Sequence, residues 1–186
     1  TFEKIDPVRF IGNYSTGKMG YALAEVCAEM GAEVHLVSGP VQMQAKHSNI
    51  SRQDVENAQE MYDAAVETYP NCDAAILCAA VADFTPEKVA DEKVKREGDE
   101  FLLKLKPTKD IAVALGCLKK EGQRLVGFAL ETNNEEEHAR EKLARKNLDF
   151  IVLNSLNDKG AGFSYDTNKV TFISSDEIKT FPLKNK

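Results

Sequence analysis

The chain has 186 residues and a formal net charge of -6 at pH 7, a length that suits one α/β domain with a sizeable core. Its acidic balance argues against a protein that coats nucleic acid. No apolar run reaches the length of a membrane span and no signal peptide is visible, so we expect neither a membrane nor a nucleic-acid partner. The four cysteines form no C-x-x-C pair, which predicts reduced thiols, a cytoplasmic location and no structural zinc.

A polar stretch punctuated by glycines, residues 6–20, runs into the first helical pattern. Ser15 and Thr16 carry hydroxyls that could cap this helix, and Gly17 permits a sharp turn. Arg9 adds positive charge nearby. Amide groups at the start of a helix bind phosphate, so the stretch predicts a site for a phosphorylated ligand. An ordinary helix start with turn glycines is the alternative, and the local pattern supports it equally.

Two familiar nucleotide-binding motifs do not fit this stretch. Residues 12–18 nearly match the P-loop pattern, but Met19 stands where the magnesium-binding hydroxyl should be. The dinucleotide pattern G-x-G-x-x-G is absent as well. A doubly wound domain usually has a buried strand before such a turn. Residues 1–5 read Thr-Phe-Glu-Lys-Ile, so we expect the chain to lack that first strand.

The remaining hydrophobic patterns alternate between helices and strands. They predict helices near residues 19–30, 57–69, 110–118 and 135–146, and buried strands near 34–38, 73–80, 124–130 and 149–154. They also predict hairpins over 93–105 and 169–183, with a surface loop over 41–51. Asn57 and Glu60 have the spacing of a capping box, and either Thr108 or Asp110 could cap the third helix. We therefore predict a single α/β domain over residues 1–186: a three-layer, Rossmann-like, mostly parallel sheet with antiparallel hairpin additions.

Several charged side chains lie where ligands usually bind. Asp83 follows a buried strand, at the sheet edge where open α/β sheets bind ligands; a solvated loop aspartate is the alternative. The cations within residues 93–96 could close over a phosphate, although the pattern alone favours solvated lysines on an exposed strand edge. Lys142 and Lys146 share one face of the fourth helix. They are either a second source of positive charge for the anion site or part of a salt-bridged surface.

Five blocks of sequence, in this order along the chain, resemble phosphopantothenoylcysteine synthetase, also called phosphopantothenate–cysteine ligase. They are DPVRFIGNYSTGKMG at 6–20, LVSGPV at 36–41, AAVADF at 79–84, GFALETN at 127–133 and RKNLD at 145–149. The blocks span nearly the whole chain, and together they are far more specific than any one glycine loop.

This resemblance implies a ligase of coenzyme A biosynthesis that joins 4′-phosphopantothenate to L-cysteine, with CTP as co-substrate and Mg²⁺. The pantothenate carboxylate attacks the α-phosphate of CTP, giving an acyl-cytidylate and pyrophosphate. The cysteine amine then attacks the acyl carbon, giving phosphopantothenoylcysteine and CMP. Because the transition state at phosphorus is anionic, positioned cations and backbone amides should carry the catalysis.

The resemblance also implies roles for individual residues. Lys93 matches the lysine of the cytidylyl-transfer step, and Asn13 matches the asparagine that holds the acyl-cytidylate. Arg9 and Ala80 match positions beside the same intermediate. The positions that match nucleotide contacts are Ser15, Gly17, Asp83, Lys93, Phe128, Lys142 and Lys146. The metal ligands stay unassigned.

Two departures from the family pattern stand out. The lysine-rich segment commonly reads K-x-K-K, whereas residues 93–96 read Lys-Val-Lys-Arg, which keeps the charge but changes its geometry. The second departure is at the start of the sequence. The family usually has an apolar strand and a Gly-Gly-Thr turn immediately before residue 2, and Thr1 matches that threonine.

The resemblance further implies a homodimer and a frequent fusion to an upstream flavin-dependent decarboxylase domain. The chain would then be either the excised ligase half or a stand-alone form. Two other functions remain open: an NAD(P)-dependent oxidoreductase on a Rossmann-like sheet, and a non-catalytic nucleotide-binding module. The oxidoreductase predicts a dinucleotide fingerprint and an acidic residue after the second strand, and neither is evident.

Overall fold

The computed structural model describes residues 1–96, 98–131, 135–155 and 167–185. The last two residues of the GFALETN block lie outside this part of the chain. The helices are α1 (Lys18–Glu29), α2 (Ala58–Thr68), α3 (Ile111–Leu118) and α4 (Glu135–Arg145). The strands are β1 (Phe2–Lys4), β2 (Phe10–Gly12), β3 (Val34–Ser38), β4 (Ile50–Asp54), β5 (Ala74–Leu77), β6 (Phe84–Pro86), β7 (Leu105–Pro107), β8 (Arg124–Glu131), β9 (Phe150–Ser155), β10 (Thr167–Asn168), β11 (Thr171–Ser174), β12 (Ile178–Thr180) and β13 (Lys184–Asn185).

The central sheet has five strands in the order β12-β11-β9-β8-β5. Strands β5, β8 and β9 are parallel, whereas β11 and β12 are antiparallel additions. Strands β3 and β4 form a separate parallel pair. The prediction of a mostly parallel sheet with antiparallel additions is therefore confirmed, and the C-terminal hairpin lies inside the predicted range 169–183.

Helices lie on opposite faces of strand β3. On β3, the hydroxyl of Ser38 lies 2.9 Å from that of Tyr21 on α1, while the neighbouring Val37 packs into the core that contains Met61 of α2. Successive side chains on a strand point to opposite faces, so α1 and α2 lie on opposite sides. Helices α2 and α3 are in contact, and Gly116 of α3 packs against the backbone that follows α4. The predicted three layers are thus present.

The core lies between the central sheet and the layer of α2, α3 and α4. Its most deeply buried aliphatic side chains are Leu115, Leu125, Ile151 and Ile173. The start of α2 is fixed by the predicted capping box, in which the amide of Glu60 donates to Asn57 Oδ1 at 2.9 Å. A buried carboxylate, Glu3, accepts from the amide of Ala58 at 2.8 Å, so β1 is tied to this helix start.

Three strands, which form two pairings, occupy segments that were predicted to be irregular. Residues 2–4 pair with 10–12 as the β1–β2 hairpin, in which the rings of Phe2 and Phe10 stack 3.9 Å apart. Strand β4 begins within the predicted loop 41–51 and pairs with β3. These predictions were wrong because both pairings are short and partly exposed, so backbone hydrogen bonds form without the apolar alternation that reveals a buried strand.

The predicted hairpin over 93–105 was also wrong. The strands that pair are β6 and β7, with Phe84 opposite Pro107 and Pro86 opposite Leu105. The Lys93 segment, residues 91–96, lies in the connection between them and is not a strand. Its central residue, Val94, uses its amide and its carbonyl to bind side chains rather than a neighbouring strand.

An open position in the sheet lies between β3 and β5. Among the described residues, β3 pairs with β4 alone and β5 with β8 alone. Thr1 lies between the carboxyl ends of these strands: its amino group donates to Ala80 O at 3.3 Å, and a Cβ placed on Gly39 would lie 3.6 Å from the same nitrogen. Ile76 of β5 is 42% exposed, although central parallel strands are normally buried on both faces.

A parallel strand added directly before Thr1 would fit this position. A chain extended before Thr1 by an apolar strand and Gly-Gly should unfold with a free energy higher by more than about 2 kcal/mol, because apolar side chains of β5 leave water. Amide hydrogen exchange in β3 and β5 should slow in the same protein. An extension of equal length made of Gly and Ser is the control. Equal stability of the two extended proteins would contradict the expectation.

Candidate functional site

The carbonyl of Ala80, just beyond the carboxyl end of β5, is a meeting point of distant segments. The side-chain amide of Asn13 donates to it through Nδ2 at 3.1 Å. The Thr1 hydroxyl lies next to it and accepts from the amide of Ala82 at 3.1 Å. Asn13 and Ala80 are 67 residues apart in sequence, and the structure brings them into direct contact. Asn13 is exposed, so its carboxamide can also reach a ligand.

Thr108 holds the backbone around Asp83. Its amide donates to Asp83 O at 2.9 Å and its hydroxyl to Ala82 O at 2.7 Å. The Asp83 residue itself is exposed. An exposed carboxylate on a fixed backbone suits a hydrogen-bond acceptor for a sugar or base. Thr108 was considered in the sequence only as a helix cap, because a residue that braces another by tertiary contact leaves no local signal.

Lys146 reaches the start of α3 from the end of α4. Its ammonium lies 2.9 Å from Asp110 Oδ2, and Asp110 Oδ1 accepts from the amide of Val113 at 3.1 Å. Asp110, not Thr108, is therefore the cap of this helix. Burial raises the pKa of the Asp110 carboxyl, but the bonds from Lys146 and Val113 outweigh it and the pKa is lowered. Lys142 lies one turn before Lys146, whose amide donates to Lys142 O at 3.0 Å.

Phe128 lies level with the end of β5. Its neighbour Gly127 pairs with Leu77, the last residue of that strand, and the Phe128 side chain is half-buried. Ala80 and Asp83 follow the carboxyl end of β5, and Phe128 lies level with that end on the adjacent strand β8. Parallel sheets bind ligands at this edge.

The start of α1 differs from the prediction. Gly17 is the N-cap residue, with φ of 81°, and no side chain caps the helix. The proposal that Ser15 or Thr16 caps it is wrong, because both residues precede the capping position. Without a side-chain cap, the first amides of α1 remain suited to an anion.

Arg9 and the Lys93 segment form a second group. The Arg9 guanidinium donates through Nε to Asp6 Oδ2 at 2.9 Å and through Nη2 to Val94 O at 2.6 Å. Lys93 itself is exposed. Arg9 and Asn13 flank β2 at opposite ends, about 13 Å apart along the strand. They can therefore contact the same ligand only at different parts of it.

Asp6 is a buried carboxylate that the sequence did not single out as a site residue. Burial raises its pKa, but bonds from Val8, Arg9 and Val94 outweigh that effect and the pKa is well below its ordinary value. The unfolded chain therefore takes up a proton first as the pH falls below about 4. The stabilisation from this ionised carboxylate is complete above that pH and is lost as the pH falls further.

The described residues contain no group of three His, Cys, Asp or Glu side chains arranged to hold a metal ion. Mg²⁺ usually keeps several waters and binds through one or two carboxylates together with substrate phosphates. The exposed Asp83 carboxylate is of the type that can take part in such a site. In the same part of the chain, no helix is long and apolar enough to cross a bilayer.

The fold and site define a Rossmann-like α/β domain with a polar site at the carboxyl ends of its parallel strands. All 186 residues match the family model described as the DNA/pantothenate metabolism flavoprotein C-terminal domain. The "coenzyme A biosynthesis bifunctional protein CoaBC" of Bacillus subtilis (strain 168) is 50% identical over 179 residues, which cover 96% of this chain and 44% of that protein. A crystal structure of the C-terminal domain of such a protein has a TM-score of 0.80 and 42% identity, covering 98% of this chain and 81% of the other.

The chain belongs to this family of C-terminal domains, which confirms the resemblance drawn from the five sequence blocks. A relative named "cysteine/cysteine sulfinic acid decarboxylase", from an unidentified prokaryote, is 56% identical over 187 residues, covering all of this chain and 52% of that protein. The chain thus spans about half the length of the curated relatives it matches.

The start of α1 offers a matched pair of glycine substitutions. Gly17→Ala should lower the free energy of unfolding by about 1–2 kcal/mol, because an alanine is strained at positive φ and its Cβ would lie 3.1 Å from Val41 Cγ1. Gly20→Ala, where an added Cβ meets nothing within 4 Å, should raise it by about 0.5–1 kcal/mol. Denaturant unfolding measures both. Equal effects of the two substitutions would contradict the assigned N-cap.

Proposed function

We propose that the chain is a ligase domain that joins 4′-phosphopantothenate to L-cysteine through an acyl-cytidylate made from CTP. The observation that carries the proposal is the contact of Asn13 with Ala80 beyond the end of β5, at the sheet edge to which Asp83 and Phe128 also belong. Each of these residues belongs to a block that resembles the ligase family, and they lie at the ligand-binding edge of the sheet. Family membership over the whole chain supports the same activity.

The first step transfers a cytidylyl group to the substrate. A carboxylate oxygen of phosphopantothenate bonds to the α-phosphorus of CTP, and the bond to pyrophosphate breaks. The ammonium of Lys93 stabilises the charge that develops on the phosphate oxygens. Lys93 suits this role because its side chain is exposed while the next residue, Val94, is held through its backbone.

The second step forms the amide. The amine nitrogen of cysteine bonds to the acyl carbon, CMP leaves, and the amine loses a proton. Asn13 holds the acyl-cytidylate with an uncharged carboxamide, which can donate to phosphate or carbonyl oxygen without the repulsion of a carboxylate. Arg9 contacts the intermediate at the other end of β2.

The nucleotide is bound by residues from four parts of the chain. Asp83 accepts from the sugar or the base, and Phe128 provides an apolar surface beside it. Lys142 and Lys146 supply positive charge from the end of α4, while Ser15 and Gly17 contribute at the start of α1. Mg²⁺, when bound with the triphosphate, would supply positive charge that neutralises part of the phosphate charge. Among the residues that the structure describes, none discriminates CTP from ATP on physical grounds, so direct competition between them is the appropriate measurement.

The assembly is part of the proposal. The ligase acts as a homodimer in the cytoplasm, and in its natural polypeptide it follows a flavin-dependent decarboxylase domain. The name "bifunctional protein" of a relative about twice as long supports the fusion. Gel filtration with light scattering tests the dimer.

Pyrophosphate release in the natural polypeptide, with CTP, phosphopantothenate and Mg²⁺, measures the first step. Lys93→Gln should slow it by a factor of 10²–10³ or more, on the order of the loss of one positioned electrostatic group. The matched control is Lys104→Gln, which removes the same charge from the same connection, where Lys104 pairs with Glu87 at 3.0 Å. The control should keep its rate.

Three results would count against the proposal. An unchanged first step in Lys93→Gln would remove Lys93 from the mechanism. Pyrophosphate release that does not need phosphopantothenate, or CTP binding without turnover in the folded wild type, would favour a different enzyme or a non-catalytic nucleotide-binding module.

Asn13→Asp should impair use of the intermediate, because its carboxylate repels the cytidylate phosphate and loses the donor to Ala80 O. Amide formation should fall by at least about tenfold, the effect of about 1.4 kcal/mol, with a smaller loss in the first step. Asn71→Asp, an exposed position on the turn after α2, adds the same charge as a control. Normal amide formation in Asn13→Asp would overturn the assignment.

A further inference from the structure

The Asp6 carboxylate lies next to the Lys93 segment and accepts five hydrogen bonds. Asp6 is 1% exposed. Its Oδ1 accepts from the amides of Val8 and Arg9 at 2.8 and 2.9 Å. Its Oδ2 accepts from Arg9 Nε at 2.9 Å and from the amide of Val94 at 3.1 Å, and it also pairs with Arg9 Nη2.

Arg9 extends this contact to the carbonyl group of the same residue, Val94. Through Nη2 it donates to Val94 O at 2.6 Å, so one ion pair binds both the amide and the carbonyl of Val94. A second tie lies four residues earlier, where the amide of Ala90 donates to Ile5 O at 3.0 Å. The backbone on the N-terminal side of Lys93 and the residue after it are therefore both attached to the β1–β2 turn.

These contacts contrast with the surroundings of the segment. Residues 91–93, 95 and 96 are exposed, and Val94 alone among residues 91–96 is half-buried. The segment contains no strand and has little apolar surface to bury. Its position therefore depends on the polar contacts at Val94 and Ala90 rather than on packing.

We infer that Asp6 is a positioning residue that holds Lys93 in place through Arg9 and the backbone amide and carbonyl of Val94. We call this arrangement, Asp6, Arg9 and Val94, the latch. The inference rests on the proposed function for the role of Lys93, but the latch itself is independent of activity. The Arg9 guanidinium makes its three hydrogen bonds in the latch through Nε and Nη2. The two N–H groups of Nη1 can therefore bind a ligand oxygen without breaking these bonds.

The chemistry of the pair explains why these residue types are needed. The planar guanidinium presents its donors in a fixed fork, so it can bridge a carboxylate and a carbonyl at once. A lysine at position 9 keeps the charge but presents a single ammonium. An asparagine at position 6 keeps the shape but replaces one acceptor oxygen by an NH₂ donor, which opposes the donors of Arg9 and Val94.

Trypsin digestion of the native natural polypeptide tests the latch without any ligand. In Asp6→Asn and Arg9→Lys, cleavage after Lys93, Lys95 and Arg96 should become at least tenfold faster. Cleavage after Lys120, which lies outside the latch in the turn before β8, is the internal control and should stay within about twofold. Unchanged cleavage after Lys93, or an equal rise at Lys120, would overturn the inference, since the second result would mean general destabilisation.

A double-mutant cycle tests the connection to Lys93. Asp6→Asn should slow acyl-cytidylate formation at least tenfold in the wild-type background and have less than a twofold effect when Lys93 is already glutamine. A merely structural role would slow both backgrounds equally and would overturn the inference. If the wild type makes no acyl-cytidylate, the proposed function fails, and the digestion still decides whether the latch exists.

Discussion

The parallel register of β5, β8 and β9 is the constraint on which the site depends. Asp149 fixes it at the amino edge: its carboxylate accepts from the Leu125 amide at 2.7 Å and pairs with Lys119 and Arg124, each at 3.1 Å. Because the register is fixed there, the end of β5 lies level with Gly127 of β8, the residue before Phe128. Ala80, Asp83 and Phe128 come to the same edge of the sheet for this reason, although no short-range pattern joins them.

The sequence predicted the parts of the fold that depend on apolar burial. Strands β3, β5, β8 and β9 all lie within or close to apolar runs, because a strand covered on both faces needs such side chains. The short strands β1, β2 and β4 escaped prediction because backbone pairing near an edge is compatible with almost any side chain. Residues 93–96 were wrongly predicted to form a strand, because a sequence that favours extended backbone does not show whether a partner strand lies beside it.

The site was predictable by residue type but not by contact. Asn13, Asp83 and Phe128 were named from motifs, and the structure puts each of them at or next to the expected sheet edge. Asp6 and Thr108 were missed as site residues because they act on other residues: Asp6 binds the backbone of Val94, and Thr108 binds the backbone of Ala82 and Asp83. A buried aspartate after a short strand reads in sequence as an ordinary turn residue, and its bond to Val94, 88 positions away, has no local signature.

The pairing of Lys146 with Asp110 has a consequence for selectivity. A ligand that recruits this ammonium must compete with a carboxylate already 2.9 Å away, so part of the attraction is cancelled. A neutral or singly charged group gains little from the exchange, whereas a phosphate with two negative charges gains more. In the proposed site, this pair would therefore favour multiply charged anions over weakly charged ones.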